Sequence, residues 1–212
     1  GDRIQLFVSK NEVGEIVFEE LKTWDMGDIA YFSGHLFRTM KGELSVMVKE
    51  VELLTKSLRP LPEKHHGLKD TEVCYRQRYL DLMTNKESRE RFVKRTRIIK
   101  TIRNYLDSQD FLEVDTNILQ SIPRGANAKK FDTHMDSLNL DLSLRVAPEL
   151  PLKRLVVGGF ERVYEIGKNF RNEGLSTRHN PEFTMIEFYE AFSDYHKLMD
   201  KTKAMLQLVA IE

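Results

Sequence analysis

The stretch GGFERVYEIGKNFRNEGLSTRHNPEFTMIEFYEAF, residues 158–192, decides the fold of the second half of the chain. VYEIGKNF and FTMIEFYEAF are rich in aromatic and β-branched residues, while the intervening RNEGLSTRHNPE carries Gly, Asn, Ser and Pro. That contrast predicts two strands of an antiparallel hairpin joined by a loop longer than a hairpin needs. Over-long loops in compact domains tend to be functional. This one is mixed in charge: it gathers Arg171, Glu173, Arg178 and His179, with Phe183 and Glu187 on the strand that follows. A guanidinium presents a fixed fork of donors to carboxylate or phosphate oxygens, so two arginines beside an aromatic ring suit a phosphorylated ligand carrying a flat base. A solvated rim of surface ion pairs is the competing reading of the same residues.

Outside the hairpin, the residues set limits. Lys plus Arg and Asp plus Glu both number 33, so no global basic field advertises nucleic acid, and any RNA contact comes from a local patch. No 18-residue apolar run and no charged-then-apolar leader occurs, which argues against a membrane span or secretory signal. Cys74 is the single cysteine, so an internal disulfide is impossible, and no Cys/His cluster has zinc spacing; a reducing, cytoplasmic compartment without a structural metal fits. His65 and His66 lie in a proline-flanked stretch and read as a solvated pair.

Residues 58–68 contain two prolines and form the natural boundary. Before it, IQLFV, IAYFSGHLF and LSVMVKEVELL read as strands, EIVFEELKTW as a short helix, and Met40-Lys41-Gly42-Glu43 as a tight turn. Strands with an inserted helix suggest part of a small barrel of the OB type. After it, residues 72–82 and 86–108 read as helices. In the second, Phe92, Ile99, Ile102 and Leu106 recur at helical spacing and form an apolar stripe for a core or a dimer partner. Phe111-Leu112-Glu113-Val114 reads as a strand, SIPRGANAKKF (121–131) as irregular, and YHKLMDKTKAMLQLVAIE (195–212) as an amphipathic helix.

Several blocks together resemble a known family. Phe170-Arg171-Asn172-Glu173, then Arg178-His179-Asn180-Pro181-Glu182-Phe183-Thr184 and Glu187, are similar to motif 2 of the class II aminoacyl-tRNA synthetases. VAPELPLKRLVVGGFERVYEIG (146–167) resembles the bacterial-type lysyl-tRNA synthetases among them. GLKDTEVCYRQRYLDLMTN (67–85) resembles the segment that joins their anticodon-binding and catalytic domains.

The resemblance implies an α+β chain: a partial OB-fold anticodon-binding domain (1–58), a linker (59–68) and the first part of an antiparallel-sheet catalytic domain (69–212) bearing motifs 1 and 2. It implies a lysine–tRNA ligase that uses ATP, assisted by Mg2+, to form lysyl-adenylate and then charges tRNA-Lys. Lysine would be held by Gly125, Glu149, Arg171, Glu187 and Tyr189, and ATP by Arg171, Glu173, Arg178, His179, Asn180 and Phe183. By the same resemblance Arg171 would be the catalytic residue, meeting both the carboxylate and the α-phosphate.

Glu187 and Tyr189 alternate along one strand and so share a face; pairing of Glu187 with a strand neighbour and packing of Tyr189 into the core is the plainer alternative. The chain departs from the family at Asn117, which replaces a proline that closes motif 1 at the homodimer interface, and at Arg124, Lys129 and Lys130 in the substrate loop. Pro151 replaces a common aromatic. No counterpart of the glycine-rich motif 3, or of the usual magnesium carboxylates, is found, so the expectation is of a shortened synthetase. A catalytically silent module that binds RNA or protein is the alternative.

Overall fold

The computed structural model describes residues 3–59, 61 and 70–211. Most of the expected linker, with His65 and His66, lies outside the described residues. The chain forms two compact units, Gly1–Glu90 and Arg91–Glu212, of mixed α+β character.

The first unit contains β1 (Gln5–Phe7), α1 (Lys10–Val13), α2 (Glu15–Leu21), β2 (Ile29–Arg38) and β3 (Leu44–Thr55). Its sheet has the order β1-β3-β2, with β1 parallel and β2 antiparallel to β3. The turn after β2 closes at Gly42, whose φ of 85° favours glycine and whose N–H reaches the Thr39 carbonyl at 2.8 Å. The expected strands form, but among the described residues they make an open three-stranded sheet and no closed barrel, since closure needs more strands and a continuous shear.

Next come α3 (Thr71–Arg76), α4 (Arg78–Thr84) and the start of α5 (Lys86–Ser108). The single helix expected over residues 72–82 is broken at Gln77, which leaves the helical region at φ −115°, ψ 56°. Asp70 caps α3 by accepting from Glu72 N at 2.8 Å, and Asn85 caps α5 by accepting from Glu87 N at 3.0 Å. In α4, Asp81 is buried between Arg78 and Ser88.

The second unit is built on two three-stranded sheets. The first has the order β4-β8-β9, from β4 (Leu112–Glu113), β8 (Arg162–Phe170) and β9 (Glu182–Glu190); the second has the order β5-β7-β6, from β5 (Leu119–Gln120), β6 (Asp132–Met135) and β7 (Leu140–Leu144). The helices α6 (Glu149–Val157) and α7 (Tyr195–Ile211) complete it. The sheet that carries the hairpin is not wholly antiparallel, because β4 runs parallel to β8.

The end of α5 explains how β4 reaches that edge. Phe111 N bonds to the Leu106 carbonyl at 3.1 Å and Asp110 N to the Asp107 carbonyl at 3.0 Å, while Asp110 takes φ 61°. This is a Schellman end, which reverses the chain and brings Phe111 back onto Leu106. Leu106, Phe111 and Tyr164 form the core cluster, flanked by Ile102, Tyr105, Ile166, Ile186 and Phe188. Phe111 meets Phe188 edge to face at 5.7 Å. Tyr164 turns its hydroxyl to Asp107 at 2.8 Å and Glu113 at 3.2 Å, and burial together with these acids raises its pKa.

Candidate active site

The register of the hairpin separates its two faces. Tyr164 opposes Phe188 and Ile166 opposes Ile186, and this apolar face packs on α5. On the other face Val163 opposes Tyr189, Glu165 opposes Glu187, Gly167 opposes Met185 and Asn169 opposes Phe183. Directly opposed residues of an antiparallel pair share a side, so polar and aromatic groups collect where no apolar core claims them. Helix α6 packs against both strands.

A buried ion pair supports this polar face. Arg145 is 1% exposed and pairs through Nη1 with Glu165, itself 2% exposed. Arg145 also donates from Nε to the Lys168 carbonyl at 2.9 Å and from Nη1 to the Thr116 carbonyl at 3.1 Å, and Thr116 Oγ1 donates to Glu165 Oε2 at 2.7 Å. The network ties the segment before β5, the end of β7 and the middle of β8 together. Gly167 makes room for it: a Cβ there would stand 2.2 Å from Arg145 Nη2. None of these residues was singled out by the sequence; the only signal was the Glu-x-Gly-x-Asn alternation within β8.

At one end of the face the acids meet. Tyr189 donates from its hydroxyl to Glu187 Oε2 at 2.9 Å. Burial raises the Glu187 carboxyl, the bond from Tyr189 lowers it, nearby Glu149 raises it again, and Lys153 and Arg171 draw it down. Burial and the neighbouring carboxylate raise Tyr189 as well. Glu149 opens α6 and pairs with Lys153 one turn on, whose ammonium lies 5.9 Å from the centre of the Tyr189 ring. Thus Glu149 and Arg171 both act electrostatically on Glu187, Glu149 and Glu187 act on Tyr189, and Lys153 joins them as a residue that sequence reasoning missed.

The loop of residues 121–131 has neither helix nor strand, as expected, and it touches both ends of this arrangement. Gly125, at φ 106°, lies so close to α6 that a Cβ would meet Glu149 Cβ at 2.9 Å and Ala147 Cβ at 3.2 Å. The Lys129 carbonyl accepts from Asn172 N at 2.8 Å. Arg124 is exposed, and Lys130 is occupied with Ser143 and Asp132. Gly125→Ala combines a disfavoured φ with a clash, so it costs about 1–3 kcal/mol and displaces Glu149. Thermal unfolding checks the cost, and a structure of the variant checks the displacement.

The other end is a cavity of about 260 Å³ lined by Arg171, Glu173, Gly174, Arg178, His179, Asn180, Pro181 and Phe183. All six residues singled out for the phosphorylated ligand are among them. The volume lies below the roughly 300–1,000 Å³ of pockets that enclose a whole drug-sized ligand, so it suits part of a nucleotide. Arg171 N bonds to the Pro181 carbonyl at 2.9 Å, and its guanidinium carbon sits 5.1 Å from the Phe183 ring centre. The loop tip is preformed: Ser176 and His179 exchange backbone bonds at 3.2 and 3.3 Å, and Ser176 Oγ meets His179 Nδ1 at 2.8 Å. One ring nitrogen of His179 therefore shapes the loop. Among the described residues no group of three or more His, Cys, Asp or Glu could hold a metal ion, and no helix is long and apolar enough to cross a membrane.

Known proteins were compared with this chain. It is similar to lysine–tRNA ligases of Thioalkalivibrio sulfidiphilus (60% identity, 99% of this chain, 42% of the relative) and Dichelobacter nodosus (59%, 99% and 42%). It is also similar to that of Idiomarina loihiensis (61%, 97% and 41%). The chain thus spans about two fifths of the length of the curated relatives it matches. The family model of the tRNA synthetases class II (D, K and N) matches residues 70–212, which include the whole β8–β9 hairpin, and the chain belongs to that family.

Proposed function

We propose that the hairpin face binds lysine and ATP and serves lysine–tRNA ligation. The observation that carries this reading is the placing of acids at one end and guanidinium groups at the other: Glu187 feels the charges of both Glu149 and Arg171, and Arg171 lines the cavity beside Phe183. Lysine brings two ammonium groups and one carboxylate, which calls for carboxylates with a cation between them. Glu149, with the backbone at Gly125, takes the α-ammonium; Glu187 and Tyr189 take the ε-ammonium; Arg171 takes the carboxylate and the ATP α-phosphate.

In the reaction a lysine carboxylate oxygen attacks the α-phosphorus, the bond to the β-phosphate oxygen breaks, and pyrophosphate leaves. A ribose hydroxyl of tRNA-Lys then attacks the carbonyl carbon of the adenylate and AMP departs. The protein aligns two anions and neutralises charge that develops on the phosphate, tasks for Arg171 and, toward the distal phosphates, Arg178. Glu173 and Asn180 face the adenine side, and Phe183 offers a ring for stacking. Glu173 is the single carboxylate among the cavity residues and stands among cations, so the described residues make no oxygen cage for Mg2+. The ion would come with the ATP phosphates.

The wider assignment follows the same reading. Residues 1–58 would contribute part of an OB-type anticodon-binding domain, 59–68 a linker, and 69–212 part of the catalytic domain of a cytoplasmic enzyme whose family is homodimeric, with Asn117 in place of the motif 1 proline disfavouring tight dimerisation in this chain. The test is lysine-dependent ATP–pyrophosphate exchange with Mg2+, beside Arg171→Ala and other amino acids. Exchange that needs lysine and falls by at least about 100-fold in the variant is expected, since removal of one transition-state donor costs on that order. Exchange equal in the two chains contradicts the role of Arg171.

A further inference from the structure

Asn169 lies on the site face of β8, opposite Phe183. It is 0% exposed, and neither Oδ1 nor Nδ2 has a hydrogen-bond partner among the described residues. A buried primary amide is nearly always satisfied, and an unsatisfied one costs on the order of 1–3 kcal/mol. Folding alone favours an apolar residue at such a place. Two residues on, Arg171 Nε is also buried and has no partner among the described residues.

The two orphans are complementary. The bond from Arg171 N to the Pro181 carbonyl continues the β8–β9 ladder one step beyond Phe170 and Glu182, so residues 169 and 171 fall on the same side. Their Cα atoms then lie about 6–7 Å apart, within reach of an amide and a guanidinium directly or through one water. Asn169 Oδ1 is an acceptor without a donor, and Arg171 Nε–H is a donor without an acceptor.

We infer that Asn169 is a positioning residue for Arg171. In the ligand-bound state its Oδ1 accepts from Arg171 Nε–H, directly or through a water, which turns the outer pair of guanidinium nitrogens toward the anionic ligand as a two-pronged fork. Without the ligand the guanidinium rests over Phe183. The orphaned amide is the cost of keeping the acceptor in place. This inference rests on the reading of Arg171 as the anion-binding fork.

The test measures ATP affinity by equilibrium dialysis and Tm by thermal unfolding for the whole chain, Asn169→Leu, Asn169→Ser and Arg171→Ala. Asn169→Leu and Arg171→Lys are also combined. Leucine nearly matches asparagine in shape and removes both orphan groups, so Asn169→Leu is expected to keep or raise Tm while the Kd for ATP rises about 10-fold or more. Asn169→Ser retains an acceptor and should lose less affinity. A lysine at 171 has no Nε–H to be held, so Asn169→Leu should have no further effect in the Arg171→Lys background.

Wild-type affinity in Asn169→Leu overturns the inference, as does affinity that falls only together with Tm in both Asn169 variants. These failures leave the role of Arg171 standing. If instead Arg171→Ala binds ATP as the wild type does, the reading of Arg171 fails and the inference falls with it.

Discussion

Arg145→Met lowers the unfolding free energy of the chain by about 3–5 kcal/mol, the usual result of leaving one member of a buried ion pair alone. Arg145 is 1% exposed and Glu165 2% exposed, so water cannot replace the missing guanidinium. Removing it also leaves the Thr116 and Lys168 carbonyls without a donor they now have. For a chain of this size the shift corresponds to a Tm lower by roughly 6–20 °C. Urea denaturation with a probe in the second unit checks the value. The double change Arg145→Met with Glu165→Leu should recover much of the loss, because two apolar groups of similar volume leave no uncompensated charge. Gly167 is likewise intolerant of a side chain, since any Cβ displaces Arg145.

Glu187→Gln has the largest expected effect on ligand binding. It weakens lysine by about 30-fold, the low end of the 2–5 kcal/mol typical of truncating one partner of a buried charge pair, because Glu187 is half-buried. The same change should make the ligand-free chain slightly more stable at neutral pH, and the sign follows from the direction of the pKa shift. Burial, reinforced by Glu149, holds the Glu187 carboxyl above its ordinary value of 4.5. A group raised in the folded state contributes stability that is complete below the unfolded pKa and is lost as pH climbs through the folded one. At neutral pH the ligand-free chain therefore carries an unfavourable half-buried carboxylate, which an ammonium relieves. Lysine affinity, measured by equilibrium dialysis as pH is raised from 4.5, should rise in the wild type as that carboxyl ionises. It should be nearly flat in Glu187→Gln, and a parallel rise in both would assign the pH dependence to another group.

The parts of this site that were legible in the sequence are those written in local pattern. Alternation in VYEIGKNF and FTMIEFYEAF, with loop formers between them, located the hairpin, and the period of two put Glu187 and Tyr189 on one face. The loop residues Arg171, Glu173, Arg178, His179 and Asn180 line one cavity with Phe183 because a single loop carries five of the six.

What stayed hidden depends on distance along the chain. Arg145 meets a Lys168 carbonyl 23 residues away, and Thr116 meets Glu165 across 49 residues; nothing local announces either contact. Asn169 precedes the Phe-Arg-Asn-Glu run with no local mark of its own, and only its burial without partners sets it apart. The break at Gln77 was missed because residues 71–76 and 78–84 both carry helix-compatible sequence. The parallel pairing of β4 follows from the helix end at Asp110, a conformational choice that an aspartate does not signal as a glycine would.

The most direct measurement is a crystal structure of the chain grown with ATP and lysine. The account predicts an ammonium between Tyr189 and Glu187, a second at Glu149, and an α-phosphate at the Arg171 fork with the base beside Phe183. Lysine or ATP bound away from this hairpin face, with Glu187 and Arg171 untouched, would contradict it.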